Sequence, residues 1–299
     1  MAVAIPFVKE MAFEYGVVQQ VSPLIRRVVA RNPSPCTYHG TGTYIVGRGA
    51  VAVIDPGPEL PRHVDALLAA LDGETITHQL ITHTHRDHSP AARLVKQATG
   101  ARTFGFGPHG GGRSEPGVEE GADRDFRPDV ALGDGDTVAG EGWALGVVHT
   151  PGHTSNHLCF ALAGEGALFT GDHVMGWSTS VISPPDGDMG DYLASLRRLL
   201  ERGDRTYWPT HGPPIRDPHP FVRAFIRHRE AREQQILDCL RHGVGAIPDM
   251  VASIYPDIPP ALHAAAGRSV YAHLRHMVET GRAACDGALA ADAGFAAPD

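Results

Sequence analysis

Lysine is almost missing from this chain: of 26 basic residues only Lys9 and Lys96 are lysines, a skew that reads as genome composition rather than function. Cysteine is scarce too. The four present, Cys36, Cys159, Cys239 and Cys285, form no close-spaced pair, which argues against a disulfide framework and fits reduced thiols in a cytoplasm. No apolar run approaches the ~20 residues that span a bilayer, so no membrane partner is expected. The first ten residues carry a short apolar run broken by Pro6 and then by Lys9 and Glu10, with no basic segment before it, and do not read as a signal peptide. Nucleotide fingerprints are lacking as well. Gly40-Thr41-Gly42 has no third glycine and leads into a strand, and Gly107-Pro108-His109-Gly110-Gly111-Gly112 is followed by no Lys-Ser/Thr. What remains is a chain of 299 residues with net charge −8 and 42% hydrophobic residues, enough for one large domain or one domain plus a smaller one. The expectation is a soluble, cytoplasmic protein.

Histidine, by contrast, is plentiful, and it is clustered. In Thr82-His83-Thr84-His85-Arg86-Asp87-His88 four side chains able to bind a metal fall within six residues. The run Ile76 to Thr82 before it is rich in β-branched residues and predicts a buried strand, while Ser89-Pro90 after it predicts the start of a capped helix. The cluster therefore sits on a strand-to-helix loop. Imidazoles two apart on an extended segment point to the same side, so His83 and His85 can converge on one ion. Asp87 and His88, past the bend, are free to face a second. Lone histidines such as His63, His109 and His242 are expected to be surface or core residues instead. Partners for the cluster recur at the ends of predicted strands: His153 in Thr150-Pro151-Gly152-His153, Asp172 in Thr170-Gly171-Asp172-His173, and His211 in Pro209-Thr210-His211-Gly212.

From about residue 20 to 215 this order of residues resembles the metallo-β-lactamase superfamily, with its His-x-His-x-Asp-His loop, a later His, a bridging Asp and a last His. The resemblance implies an α+β fold, a four-layer αββα sandwich, spanning residues 1–215. It implies that His83, His85 and His153 bind one metal, that Asp87, His88 and His211 bind the other, and that Asp172 bridges them. Asp55, at the end of Val53-Ile54-Asp55, matches an early aspartate of the family and is expected to hold a ligand histidine in the right tautomer. Asp87 and Asp172 are the candidate catalytic carboxylates, with proton delivery by Asp87 carried by the resemblance alone.

Strands are predicted at Leu24 to Ala30, Thr41 to Val46, Ala50 to Ile54 and Ala101 to Gly105, with an amphipathic helix from Leu60 to Leu71. Residues 106–128 read as a long loop, either a flap over the site or a plain insertion. Two hairpins, Asp136 to His149 and His157 to Thr170, deliver His153 and Asp172. The loop after Asp172 is apolar and hydroxyl-rich, which makes Trp177 and Ser178 candidates for a substrate wall, although Trp177 reads equally as core; His157 is a further wall candidate for which a structural role is favoured over a catalytic one. A helix from Asp191 to Arg202 and a strand from Arg205 to Trp208 lead to His211. The Pro-rich stretch 212–218 then predicts a domain boundary. Helices follow at 219–241, 247–255 and 267–280. This tail resembles the small winged-helix domain of the β-lactamase-like protein 2 branch of the same superfamily and is placed at 219–282, with 283–299 expected to be a disordered tail. Residues 219–299 hold 8 Arg, no Lys and 9 acidic residues, so scaffold or homodimer contact is at least as favoured as nucleic-acid binding.

Two divalent ions a few ångströms apart lower the pKa of a shared water toward neutrality and supply hydroxide as nucleophile. Imidazole and carboxylate ligands suit zinc, with Fe or Mn as alternatives. The expected activity is zinc-dependent hydrolysis of an ester, thioester or lactone-type small substrate. The alternatives are a zinc endoribonuclease or phosphodiesterase with RNA as substrate, and a mononuclear iron sulfur dioxygenase. An Asp at position 172, where the commonest metallo-β-lactamases have Cys, argues against antibiotic hydrolysis. The lysine-free C-terminal half departs from glyoxalase II, which the resemblance otherwise brings to mind.

Overall fold

The computed structural model describes residues 4–110 and 121–298. The first sheet is built from β1 (Gln19–Gln20), β2 (Ile25–Val29), β3 (Gly42–Val46), β4 (Ala50–Ile54), β5 (Thr75–Leu80), β6 (Arg102–Gly105) and β7 (Val130–Ala131), hydrogen-bonded in that order. Its first half is antiparallel, and from β4 onward the strands run parallel. Helix α1 (Pro61–Ala70) makes the crossover from β4 to β5, and α2 (Ala91–Thr99) the one from β5 to β6. Parallel neighbours require such crossovers, and these return both helices to one face.

The second sheet contains β8 (Thr137–Gly140), β9 (Trp143–His149), β10 (Leu158–Leu162), β11 (Ala167–Gly171) and β12 (Thr206–Pro209), in the order β12-β11-β10-β9-β8. Helix α3 (Met189–Leu199) joins β11 to its parallel neighbour β12. Three more helices follow, α4 (Pro218–Arg241), α5 (Ile247–Ile254) and α6 (His263–Glu279).

Why these segments stack as four layers follows from side-chain alternation. Tyr44, Val46, Ala52 and Ile54 of the first sheet meet Leu145, Val147, Leu158, Phe160 and Phe169 of the second in a core between the sheets. The residues between them in sequence, Ile45, Val51 and Val53, face the other way, onto Val64 and Leu67 of α1 and Val95 of α2. Val148, Cys159 and Leu168 likewise turn outward onto Tyr192, Leu193 and Leu196 of α3. A strand buried on both faces must be apolar throughout, which is why these segments read as continuous hydrophobic runs. The αββα sandwich is present.

Two expectations change here. The Pro-rich stretch 212–218 does not divide two cores, because α4 belongs to both: Phe221, Val222 and Phe225 pack with α3, whereas Ile236, Cys239 and Leu240 join α5 and α6. The packing boundary runs through a continuous helix. Nor do the described residues of 283–299 fray. Ala284–Cys285 (β13) pairs antiparallel with Phe295–Ala296 (β14), and Phe295, 5% exposed, completes the core of α5 and α6. Burial of one aromatic ring outweighs the Ala- and Asp-rich composition around it.

Candidate metal centre

The site lies where strand ends of both sheets meet. Asp55 follows β4, residues 82–88 follow β5, His153 and His157 flank the β9–β10 turn, Asp172 follows β11 and His211 follows β12. Asp55 ties these ends together. Its fully buried carboxylate accepts from the Thr82 backbone N–H (2.8 Å), the Thr82 hydroxyl (2.7 Å) and the Thr210 hydroxyl (2.8 Å), and faces His88 Nδ1 at 2.9 Å. Its backbone sits in the left-handed region at φ 49°, a conformation that Asp tolerates better than most residues. Strain of this kind persists where surrounding bonds over-determine it.

Four of the five histidines are oriented by the nitrogen away from the centre. His88 Nδ1–H donates to Asp55, His153 Nδ1–H to the Val181 carbonyl (2.5 Å) and His211 Nδ1–H to the Gly40 carbonyl (3.2 Å). The Thr82 hydroxyl gives its proton to Asp55, so it accepts from His83 Nδ1 at 3.1 Å. All four rings therefore present the Nε2 lone pair inward. His83 Nε2 lies 3.0 Å from His85 Nδ1, which lies 3.1 Å from His153 Nε2. Zn–N bonds of 2.0–2.1 Å in tetrahedral geometry put neighbouring ligand nitrogens about 3.3 Å apart, so this spacing suits one ion.

On the other side, His211 Nε2 stands 3.0 Å from Asp87 Oδ2 and 3.4 Å from Asp172 Oδ1, and His88 Nε2 is 3.6 Å from both Asp87 Oδ2 and Asp172 Oδ2. Asp172 Oδ2 also reaches His153 Nε2 at 3.8 Å. Three groups bring one ligand atom per residue within 4.8 Å of each other: His83, His85 and His153; His83, His88 and Asp172; Asp87, His88 and His211. All seven predicted residues are brought together.

The donor set fits cations. His88 Nε2, His211 Nε2 and Asp172 Oδ1 are buried with no hydrogen-bond partner, and lone pairs facing carboxylates repel unless positive charge lies between them. The same demand governs protonation. Burial opposes the charged ring of His88, but Asp87, Asp172 and Asp55 outweigh it and hold its pKa well above the ordinary value; Asp172 and Asp87 do the same for His211. Burial also opposes ionisation of Asp87 and Asp172, yet the facing histidines keep both carboxyls well below the usual range. His83 and His153 are neutralised by burial and by neighbouring rings, His153 down to about 4. His83 and His153 are thus held neutral, whereas Asp87, Asp172, His88 and His211 form an anionic pocket that needs protons or metal.

The substrate-wall candidates divide. His157 is not in the wall: it is fully buried beneath the site, its Nδ1 2.9 Å from the Thr150 hydroxyl and its Nε2 accepting the Asp172 backbone N–H at 3.2 Å. Gly171, at φ 50°, makes room for it, since a Cβ there would lie 2.5 Å from His157 Nε2. Trp177 is half-buried and stacks on Tyr38, rings 4.7 Å apart at 10°, beside Gly212. Ser178 is half-buried next to it. Val181, 56% exposed, stands on the His153 side.

Other residues escaped the sequence reading. His109, expected to be a surface or core residue, buries its side chain 2.9 Å from the Thr84 hydroxyl and 3.8 Å from Asp186, its ring 5.9 Å from that of His85. Asn156 donates to Thr84 Oγ1 (2.8 Å) and to the Gly107 and Pro108 carbonyls, docking the start of the 106–128 loop. Residues 111–120 of that loop lie outside the described residues, while its end packs on the site through the Arg86 N–H to Gly121 O bond (2.8 Å). Ser89 is no helix cap: its hydroxyl donates to Asp123 (2.5 Å). The recurrence of Thr just before His83 and His211 was the available signal for Thr82 and Thr210. Nothing local marked His109 or Asp186.

Comparison with known proteins agrees with this architecture. The family model described as "Metallo-beta-lactamase superfamily" matches residues 38–211, and "Beta-lactamase associated winged helix domain" matches 246–291. Among curated relatives, the beta-lactamase-like protein 2 homolog of Drosophila melanogaster is 32% identical, covering 89% of this chain and 91% of its own length. The atrochrysone carboxyl ACP thioesterase of Claviceps purpurea is 32% identical, over 80% of this chain and 74% of its own. A solved beta-lactamase domain protein from Burkholderia ambifaria superposes with a TM-score of 0.78 at 18% identity, over 96% of this chain and 95% of its own. The chain belongs to the metallo-beta-lactamase superfamily, with a beta-lactamase-associated winged helix domain at its C-terminal end.

Proposed function

We propose that the chain is a two-metal, zinc-dependent hydrolase acting on an ester, thioester or lactone of a small acyl molecule. The observation that carries this reading is Asp172, whose carboxylate stands between the nitrogen trio of His83, His85 and His153 and the trio of Asp87, His88 and His211. Held there, two divalent ions would supply Lewis acidity and an activated water. Among candidate ions, zinc suits a set of five imidazoles and two carboxylates.

The chain's own residues set the rest. Asp55, Gly40 O and Val181 O fix His88, His211 and His153 in the tautomer that offers Nε2. Asp87, whose side chain is 26% exposed, is the carboxylate at the open side of the pocket. It stays ionised at neutral pH because His88 and His211 outweigh burial, which favours a ligand over a proton donor. Exposed Val181, whose carbonyl holds His153, and the Trp177–Tyr38 stack beside Gly212, next in sequence to His211, put apolar surface on segments that carry the site, which favours an acyl group. The thioesterase names of two relatives support the thioester member of that class. A net charge of −1 over residues 219–299 counts against RNA. Four free thiols support a cytoplasmic setting.

The test combines elemental analysis of protein purified without chelator with turnover of a small acyl thioester, p-nitrophenyl acetate, bis-p-nitrophenyl phosphate and RNA. About two zinc per chain and acyl turnover lost in His83→Ala/His85→Ala are expected. One iron per chain, or turnover confined to the phosphodiesters, overturns the proposal.

A further inference from the structure

We infer that Arg229, a buried residue of α4, positions the His83–His85–His153 half of the metal centre, so that the helix shared with the C-terminal unit sets the ion affinity of the catalytic unit. This rests on the two-ion reading above. His153 offers Nε2 only while its Nδ1–H is held by the Val181 carbonyl. Val181 cannot be fixed by its own packing, because the residue is 56% exposed. Its neighbours hold it: Ile182 is buried against α3 and α4, and Ser180 is 2% exposed, its hydroxyl donating to the His173 carbonyl at 2.8 Å.

The Ser180 carbonyl accepts from Arg229 Nη2. Arg229 is 4% exposed, and its guanidinium carbon lies 5.3 Å from the centre of the Tyr192 ring, whose hydroxyl donates to the same His173 carbonyl at 3.0 Å. The segment 173–181 is therefore pinned at two carbonyls. One end of it is joined to Asp172, and the other supplies the acceptor for His153. One turn along α4, buried Glu233 meets Arg282 at 2.5 Å and His273 of α6 at 3.4 Å, contacts of the same helix that do not reach the Ser180 carbonyl. A buried guanidinium costs stability that an apolar side chain of similar length would avoid. What the apolar side chain lacks is a donor for the Ser180 carbonyl.

The test titrates the metal-free full-length protein with zinc, using Arg229→Met and Arg229→Gln, the second of which keeps a neutral N–H donor. Loss of a residue that orients a metal ligand typically costs 10–100-fold in affinity. In Arg229→Met one of the two binding steps should weaken by about that factor, with Arg229→Gln between it and wild type. Arg282→Ala, which removes one of those Glu233 contacts, should lower the melting temperature and leave both steps unchanged. Both steps within twofold of wild type in any folded Arg229 variant overturn the inference, as does an equal weakening in Arg282→Ala. Should neither Arg229 variant fold, arginine side-chain NMR of the wild type decides: the Arg229 guanidinium signals should move on zinc binding, and their immobility overturns it. A wild type that binds no ion sinks the two-ion reading instead.

Discussion

Replacing Asp55 by Asn isolates the charge at the junction of the strand ends. Asn tolerates the left-handed backbone at φ 49° about as well as Asp, and it fills the same space. It can still accept the Thr82 N–H through its carbonyl oxygen, so its NH2 group lands where Oδ2 now faces Thr82 Oγ1, Thr210 Oγ1 and His88 Nδ1. The two hydroxyls can rotate. The ring N–H cannot, and facing a donor it must surrender its proton to Nε2, which removes the lone pair that His88 offers to the centre. A hydrogen bond to a charged group is worth about 1.5–3 kcal/mol, which at 1.4 kcal/mol per decade is roughly a 10- to 150-fold loss of metal affinity. The range agrees with the 10–100-fold typical of such outer partners. Zinc competition titration at pH 7 against a chromophoric chelator reads it directly. The loss should be larger on the Asp87–His88–His211 side, with a smaller one through His83, whose Nδ1–H is accepted by the Thr82 hydroxyl that Asp55 orients. Affinities within twofold of wild type for both steps, in a folded Asp55→Asn protein, would refute the tautomer argument.

Other outcomes follow from the same structure. Zinc binding near pH 7 should release protons, because the carboxylates raise the pKa of His88 well above its ordinary value and raise that of His211 in the metal-free protein; calorimetry in buffers of different ionisation enthalpy measures this, and zero release contradicts it. His273 is buried and shifted down to about 4 by burial, against 6.5 unfolded, so its neutral form contributes stability above about pH 6.5 that is lost as pH falls through 4. The decline of melting temperature between pH 7 and 4.5 should be shallower in His273→Gln, and an unchanged slope counts against it. Gly171→Ala drives a Cβ to 2.5 Å from His157 Nε2 and should cost about 1–3 kcal/mol while displacing Asp172, seen as a lower melting temperature with reduced metal content. Phe295→Ala should remove about 3–5 kcal/mol from the C-terminal core, and a melting profile identical to wild type would show that the β13–β14 hairpin adds nothing.

The seven clustered residues were legible because the chemistry is local: four of them share one loop, and the rest end strands whose apolar runs are plain. Asp55 was legible only through resemblance, since nothing in Val53-Ile54-Asp55 shows that its carboxylate will meet Thr82, Thr210 and His88. His157 was left between a structural role, the favoured one, and the substrate wall for a related reason. Four residues after a ligand in a turn, a side chain can face the cleft or the floor, and only the pairing of β10 with β9 sends it to the floor. The tail at 283–299 was misjudged because composition averages over a segment in which one aromatic residue decides.

By itself, then, the sequence determined most strands and helices, through apolar runs and their periodicity, and the set of clustered histidines and aspartates, through their recurrence at strand ends, while the αββα layering came from the family resemblance. Tertiary structure alone decided which ring nitrogen each histidine offers, because that depends on acceptors such as Gly40 O and Val181 O, distant in sequence from His211 and His153. It also decided that α4 serves two cores and brings Arg229 to Ser180. Spacing along a chain fixes which side chains share a face, whereas a hydrogen bond between segments exists only once packing has set their distance.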